Sequence, residues 1–420
     1  MSGAAGTLSH IRVLDLSRVL AGPWCTQNLA DLGADVIKVE RPGTGDDTRA
    51  WGPPWIADAT GGPSTDSTYF ASANRGKRSI TIDIACEEGQ RLVRELAKSS
   101  DVFIENYKVG DLRRYGLDYE AIRAVNPGIV YCSITGFGQD GPYAHKPGYD
   151  FVFQGLGGLM SITGESDDLP GGGPQKVGIA VADVLTGMYA SVAILAALNR
   201  RSISGEGQYI DMALLDCIVA FAGNQATGYF ATGNVPKRYG NAHASLVPYG
   251  VFESADGQIV IAVGNDSQWR HYCEAVERPD LAADERYKKG TGRILGRKEL
   301  IAELVRVMRT RSTQAWIEAL DAKGVPCGPI NDYRQVFEDP QVRHRGMRVD
   351  MSRGDGGTVG TVASPLRLKG TPPDYSRAPP LVGEHTTEIL AEVLGKSADE
   401  ITRLNQTGVI GCDPRARDQA

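Results

Sequence analysis

The sequence predicts an α/β protein: a large domain on a parallel sheet, followed by a smaller α+β domain. Two observations carry this. Up to about residue 135, β-rich runs alternate with helical text, the rhythm of a parallel sheet with helices on both faces. After about residue 226 the rhythm changes: two β-rich runs in VPYGVFESADGQIVIAVG (247–264) flank Asp256-Gly257, a hairpin signal.

Taken in order, IRVLDLS (11–17) reads as the first strand and AGPWCTQNLADLG (21–33) as a helix closed by Gly33. DVIKVE (35–40) is the second strand, and a loop rich in Gly, Pro and Asp follows over 41–66. RSITIDI (78–84), EEGQRLVRELAKS (87–99), DVFIEN (101–106) and GIVYCSITGFG (128–138) continue as strand, helix, strand and strand. An apolar helix opens at Asp183 and runs to about Arg200, and YIDMALLDCIVAFAG (209–223) is one further buried element. Helical text at 297–310 and 313–324 completes the smaller domain, and HTTEILAEVLG (385–395) is a last helix in a Pro- and Gly-rich tail. The expected boundaries are 1–205 for the large domain, 226–330 for the small one and 345–420 for a C-terminal segment.

Composition narrows the function classes. With 23 % charged and 41 % hydrophobic residues the chain is of ordinary globular type, and a net charge of -6 argues against nucleic-acid binding. Seven scattered cysteines, Cys25 to Cys412, form no C-x-x-C and do not group with histidines, so neither disulfides nor a zinc site is expected. The opening residues lack the features of a signal or transit peptide, and the apolar run after Asp183 is short for a bilayer span. A cytoplasmic protein without membrane attachment is expected.

Ligands of a parallel sheet bind beyond the carboxyl ends of its strands, here Ser17–Pro23, Glu40–Arg41, Glu105–Tyr107 and Thr135–Gly138. A dinucleotide is not the ligand, because the first turn, SRVLAGPWC, lacks the G-x-G-x-x-G that lets a backbone approach a pyrophosphate. Arg18, Arg41, Arg75, Lys77, Arg78 and Arg114 lie near the predicted strand ends, where together they suit phosphates. Asp183 and Asp150 each precede apolar helical text, where capping is the plain reading and a reactive carboxylate the sharper one. His243 sits in a polar loop.

Seven ordered blocks then carry a resemblance. RVLAGPWCTQNLADLGADVIKVERPGTGDDTR, NRGKRSITID, DVFIENYKVGDLRRYGLDYE, YCSITGFGQDGP, PGYD, GIAVADVLTGMYA and GNAHASLVPYGVF resemble the signature blocks of the family III CoA-transferases. The likeness runs from about residue 10 to 395, and it is greatest to members that use succinyl-CoA and glutarate. It implies a Rossmann-like large domain joined by two linkers to a small one, in a homodimer of interlocked chains, with the C-terminal segment returning to the large domain. It makes Asp183 the nucleophile and Asp150 its assistant. It assigns CoA to Val19, Ala21, Arg41, Asn74, Arg75, Lys77, Asn106, Tyr107 and Arg114. Leu20, Tyr149, His243, Tyr249, Gly264 and Asn265 fall where the acyl group or acceptor acid would bind, with the Gly264–Asn265 backbone as oxyanion donors.

The implied activity moves CoA from an acyl-CoA to a short dicarboxylic acid through an aspartyl-acyl anhydride. CoA thioesters are substrates, and no tightly bound cofactor or metal is expected. Leu20 stands where formyl-CoA transferase has glutamine, which weakens a formate or oxalate assignment. Racemising relatives carry histidine where Tyr149 stands, and a phenol of pKa ~10 moves protons poorly near neutrality. A 2-methylacyl-CoA racemase is therefore the second reading and a non-catalytic CoA-binding protein the third.

Overall fold

The computed structural model describes residues 6–411; Cys412 and the rest of the 345–420 segment beyond 411 lie outside the described residues. The chain forms two compact units. The first comprises Met1–Leu159, Val177–Asn224 and Arg343–Ala420, the second Met160–Lys176 and Gln225–Val342. Residues 160–176 thus join the second unit, whereas the sequence reading left them in the large domain.

In the first unit, strand β1 (Arg12–Asp15), helix α1 (Ala21–Asp31), β2 (Asp35–Glu40), β3 (Lys77–Thr81), α2 (Glu87–Lys98), β4 (Val102–Glu105) and β5 (Val130–Thr135) follow one another. Then come α3 (Asp150–Leu156), α4 (Val181–Ser204), β6 (Tyr209–Ala213) and α5 (Leu214–Phe221). The six strands form one parallel sheet in the order β3-β2-β1-β4-β5-β6. The order reverses between β1 and β4, and it is there that such sheets open a crevice for ligands. The stretch 209–223, read from sequence as one buried element, is an edge strand followed by a separate helix.

Both faces of the sheet are covered, so successive strand residues alternate between two cores. Val13, Val36, Val102, Ile104 and Cys132 pack under α1 and α4 with Leu29 and Ile194. Leu14, Ile37, Phe103 and Tyr131 pack on the other side with Leu92 and with Ile389 and Leu404 from the C-terminal helices. Helices α1 and α4 approach closely at Gly187, where a Cβ would lie 2.6 Å from the Ala21 carbonyl oxygen. That contact brings the N-terminal turns of the two helices side by side. Helix α4 has 24 residues and is long and apolar enough to cross a bilayer, contrary to the sequence reading, but half of its most apolar stretch is buried within the protein.

The second unit carries the expected hairpin, Tyr249–Glu253 paired with Gln258–Ala262, extended by Cys327–Pro329. Its own core includes Ile259, Ile261, Trp269, Tyr272, Leu304 and Trp316.

Candidate active site

Asp183 is not a cap. Helix α4 has Ala180 at its N-cap position, and Asp183 lies inside the first turn. The capping group comes from elsewhere: Asp150 Oδ1 accepts the backbone N–H of Ala182 at 2.7 Å and that of Asp183 at 3.4 Å. Asp150 thus caps α4 and not its own helix, as the sequence reading had it. Its other oxygen accepts from Gln154 Nε2 at 2.6 Å. Gln154 is fully buried; it also donates to the Ile179 carbonyl at 3.3 Å and accepts from Val177 N–H at 2.8 Å. One buried amide therefore orients both the capping carboxylate and the chain leading into α4.

The consequence for Asp183 is electrostatic. A carboxylate in a first helical turn is ordinarily stabilised by the free N–H groups around it. Here Asp150 takes those groups and adds a negative charge nearby. Burial first, then the Asp150 charge, push the Asp183 carboxyl up to about 7. Tyr69, absent from the sequence reading, lies within the same field: burial and the Asp183 and Asp150 charges push its hydroxyl up to about 12. Its ring packs edge-on against Trp51, with centroids 5.2 Å apart.

Asp183 opens into a cavity of about 240 Å³ at the β1/β4 switch point, lined by Val19, Leu20 and Ala21 on one side and Asn106, Tyr107 and Tyr149 on others. The turn entering α1 is held tightly. Asn106 accepts from Arg18 N–H at 2.9 Å and donates to the Arg18 carbonyl at 2.6 Å. Val19 has φ +70°, a left-handed conformation that is rare for a β-branched residue and costs roughly 1–2 kcal/mol. A second cavity of about 260 Å³ is lined by Arg41, Arg114 and Lys38. Arg18 and Tyr107 border both cavities, with the guanidinium 5.1 Å from the ring centre.

The remaining cations correct the sequence reading. Asn74, Arg75 and Lys77 point inward and are engaged there. Arg75 forms a two-pronged pair with Asp31 at 2.8 and 2.6 Å, and Lys77 Nζ contacts Asn74 Oδ1, the Pro23 carbonyl and Asp15 at 2.8, 3.0 and 3.3 Å. Arg78 bridges Asp35 and Glu388 at the amino end of β3. These side chains are committed to holding the fold, and all three Lys77 ammonium donors are engaged by protein oxygens.

His243, Tyr249, Gly264 and Asn265 belong to the second unit. The His243 and Tyr249 rings lie 5.0 Å apart, tilted. The Gly264 N–H donates to Gln268 Oε1 at 2.7 Å, and Asn265 Oδ1 caps helix Asp266–Ala275 through the Gln268 N–H at 2.9 Å. The Gly264 donor assigned to an oxyanion is thus already used. A glutamine four residues on was the signal for it.

Fold and site together define a crevice with a half-buried carboxylate at the switch point of a doubly wound sheet. Residues 8–386 match the family model described as CoA-transferase family III, and the chain belongs to that family. It is 49 % identical over 391 residues to a succinate–glutarate CoA-transferase of Agrobacterium fabrum, covering 92 % of this chain and 95 % of that protein. To the human succinyl-CoA:glutarate CoA-transferase it is 43 % identical over 403 residues, covering 96 % and 90 %. A crystal structure of a CAIB/BAIF family protein from Brucella suis superposes with a TM-score of 0.82 at 45 % identity, covering 93 % of this chain and all of that one.

Proposed function

We propose that this CoA-transferase moves CoA from succinyl-CoA to glutarate or a similar short dicarboxylate, with Asp183 as the nucleophile. The observation that carries the reading is the Asp183 carboxyl itself, half-buried at the switch-point crevice, in no ion pair among the described residues, and pushed up to about 7 by burial and the Asp150 charge. The names of the similar proteins supply the substrate pair.

Asp183 attacks the thioester carbonyl; the Oδ–C bond forms, the C–S bond breaks, and CoA leaves as thiolate. The thiolate attacks the aspartyl carbonyl of the anhydride and releases succinate, leaving CoA on Asp183. The acceptor carboxylate displaces CoA from Asp183, and the thiolate then attacks the new acyl group and frees Asp183. An ordinary carboxylate is a poor match for this chemistry. Carboxyl and thiol pKa values of ~4 and ~8.5 differ by roughly 6 kcal/mol. Raising Asp183 to about 7 narrows that gap to roughly 2 kcal/mol, because acylation removes a charge that the site solvates badly. The exchange requires carboxylates and a thiol only, with no metal or redox group in any step.

Arg41 and Arg114 suit the phosphates of CoA, and Val19, Ala21, Asn106 and Tyr107 suit the arm that leads to the thiol. Asp150 serves as a positioning and electrostatic partner, its two oxygens engaged by N–H groups. Leu20 offers apolar contact to acceptor methylenes, and Tyr149 borders the same cavity. A homodimer fits the exposed apolar side chains of the first unit, Phe151, Val152, Leu156, Met188 and Val192. A cytoplasmic setting, with neither nucleic acid nor membrane as partner, accords with the composition.

The test is an acceptor panel with succinyl-CoA, read as new acyl-CoAs by mass. Glutarate should exceed valerate in kcat/KM by at least about tenfold, because a site that pairs a second carboxylate rejects an acid without one. Equal use of the two acids overturns the dicarboxylate reading. Rapid α-proton exchange on 2-methylacyl-CoA without transfer would favour the racemase.

A further inference from the structure

We propose that the buried Lys38–Asp46 pair is a positioning device for the reaction, holding Val19 left-handed so that Arg18–Ala21 forms a fixed wall of the Asp183 cavity. This rests on the reading of Asp183 as the nucleophile. Three side chains fasten successive backbone groups of one turn. Lys38 Nζ donates to the Ser17 carbonyl at 2.8 Å, Asn106 takes both the N–H and the carbonyl of Arg18, and Asp46 Oδ1 accepts from Val19 N–H at 3.3 Å. Lys38 and Asp46 meet at 2.9 Å with both side chains almost wholly out of water. Asp46 also accepts from the N–H and hydroxyl of Thr48 at 2.9 and 2.7 Å.

A buried ion pair contributes little net stability over an apolar pair of equal volume, so its use here calls for another reason. The reason lies at Val19. A strained φ persists only where the surroundings over-determine it, and these contacts do so. Released, Val19 would relax towards negative φ and carry Leu20 and the start of α1 with it. The loop that supplies Asp46 begins at Arg41, whose carbonyl accepts from Gly45 N–H at 3.0 Å, and Asp46 N–H donates to Glu40 at 2.8 Å. The anchor at one cavity thereby sets the wall of the other.

The test is a double-mutant cycle of Asp46→Asn and Val19→Gly, with kcat, KM for succinyl-CoA, the Kd of CoA and the melting temperature measured for each enzyme. Glycine adopts φ +70° without strain, so the clamp matters less in its presence. Asp46→Asn should lower kcat about tenfold or more in the wild type, and that cost should fall below about threefold in the Val19→Gly background. An equal loss in both backgrounds, or no loss, overturns the proposal. If Asp46→Asn alone does not fold, Lys38→Met with Asp46→Asn removes both charges together and gives the same comparison. Asp183→Asn run in parallel separates the two ideas: transfer by that variant sinks the nucleophile reading, whereas a dead Asp183→Asn with an additive cycle sinks only the clamp.

Discussion

Asp46 and Asp183 are two aspartates of the same unit, one buried and one half-buried, and their surroundings shift their carboxyls in opposite directions. Asp46 is held down at about 2, Asp183 pushed up to about 7. Burial raises both. At Asp46 the Lys38 ammonium and the Thr48 N–H and hydroxyl more than offset it. At Asp183 nothing offsets it, and Asp150 adds to it. What separates the two carboxylates is therefore the company they keep. A partnered aspartate is fixed in its charge; one without a compensating cation gains by losing its charge, as the proposed acylation would make it do.

The sharpest way to break the contrast is to remove the unpartnered charge. Asp183→Asn should lower kcat by about a thousandfold or more while CoA still binds, and hydroxylamine should no longer mark this position in donor-loaded enzyme. The same variant should be the more stable protein at pH 8. A carboxyl raised from 3.8 to about 7 binds protons more readily folded than unfolded, so the wild type loses stability as pH rises through that window. The gain in melting temperature should therefore shrink as pH falls from about 7 towards 4. No gain at pH 8 would mean that the charge is better solvated than its burial implies.

Asp150→Asn tests the second cause. It keeps an oxygen for the Ala182 N–H and removes the neighbouring charge, so the Asp183 pKa should fall. The acid limb of kcat/KM against pH, set by ionisation of Asp183, should then move down by about one unit, with kcat lower by about tenfold. An unmoved limb would assign Asp150 to capping alone. The smallest effect is expected at the cations. Arg114 is largely exposed, its nearest acid being Asp111 at 4.0 Å. Arg41→Ala or Arg114→Ala should weaken acyl-CoA binding by about three- to tenfold at low salt and by less at high salt. Normal binding by both at low salt would move the phosphate site elsewhere.

How much of this was legible in the sequence follows the range of the contacts. The sheet was legible, because each strand of a doubly covered sheet is a local apolar run. β6 was not, since it runs directly into α5 without a turn signal between Tyr209 and Phe221. Asp183 was singled out by an apolar context around a lone charge, but its role came from the resemblance. The inward turn of Arg75 was hidden because Asp31 lies 44 positions away. Tyr69 and Gln154 were missed for a related reason: an uncharged polar residue in ordinary surroundings gives no local sign of what it meets in the fold.

Gly187 sits one helical turn beyond Asp183, where α4 leans on α1. The gap there is narrower than a methyl group: a Cβ would press on the Ala21 carbonyl oxygen at 2.6 Å and on Trp24 Cβ at 3.0 Å. Alanine at this position would act as a shim, prising the helix that carries Asp183 from the one that begins at the opposite wall. The width of the Asp183 cavity is thus set by an atom the chain does without. Drift by a single carbon at 187 would alter it while leaving every reacting group in the sequence intact.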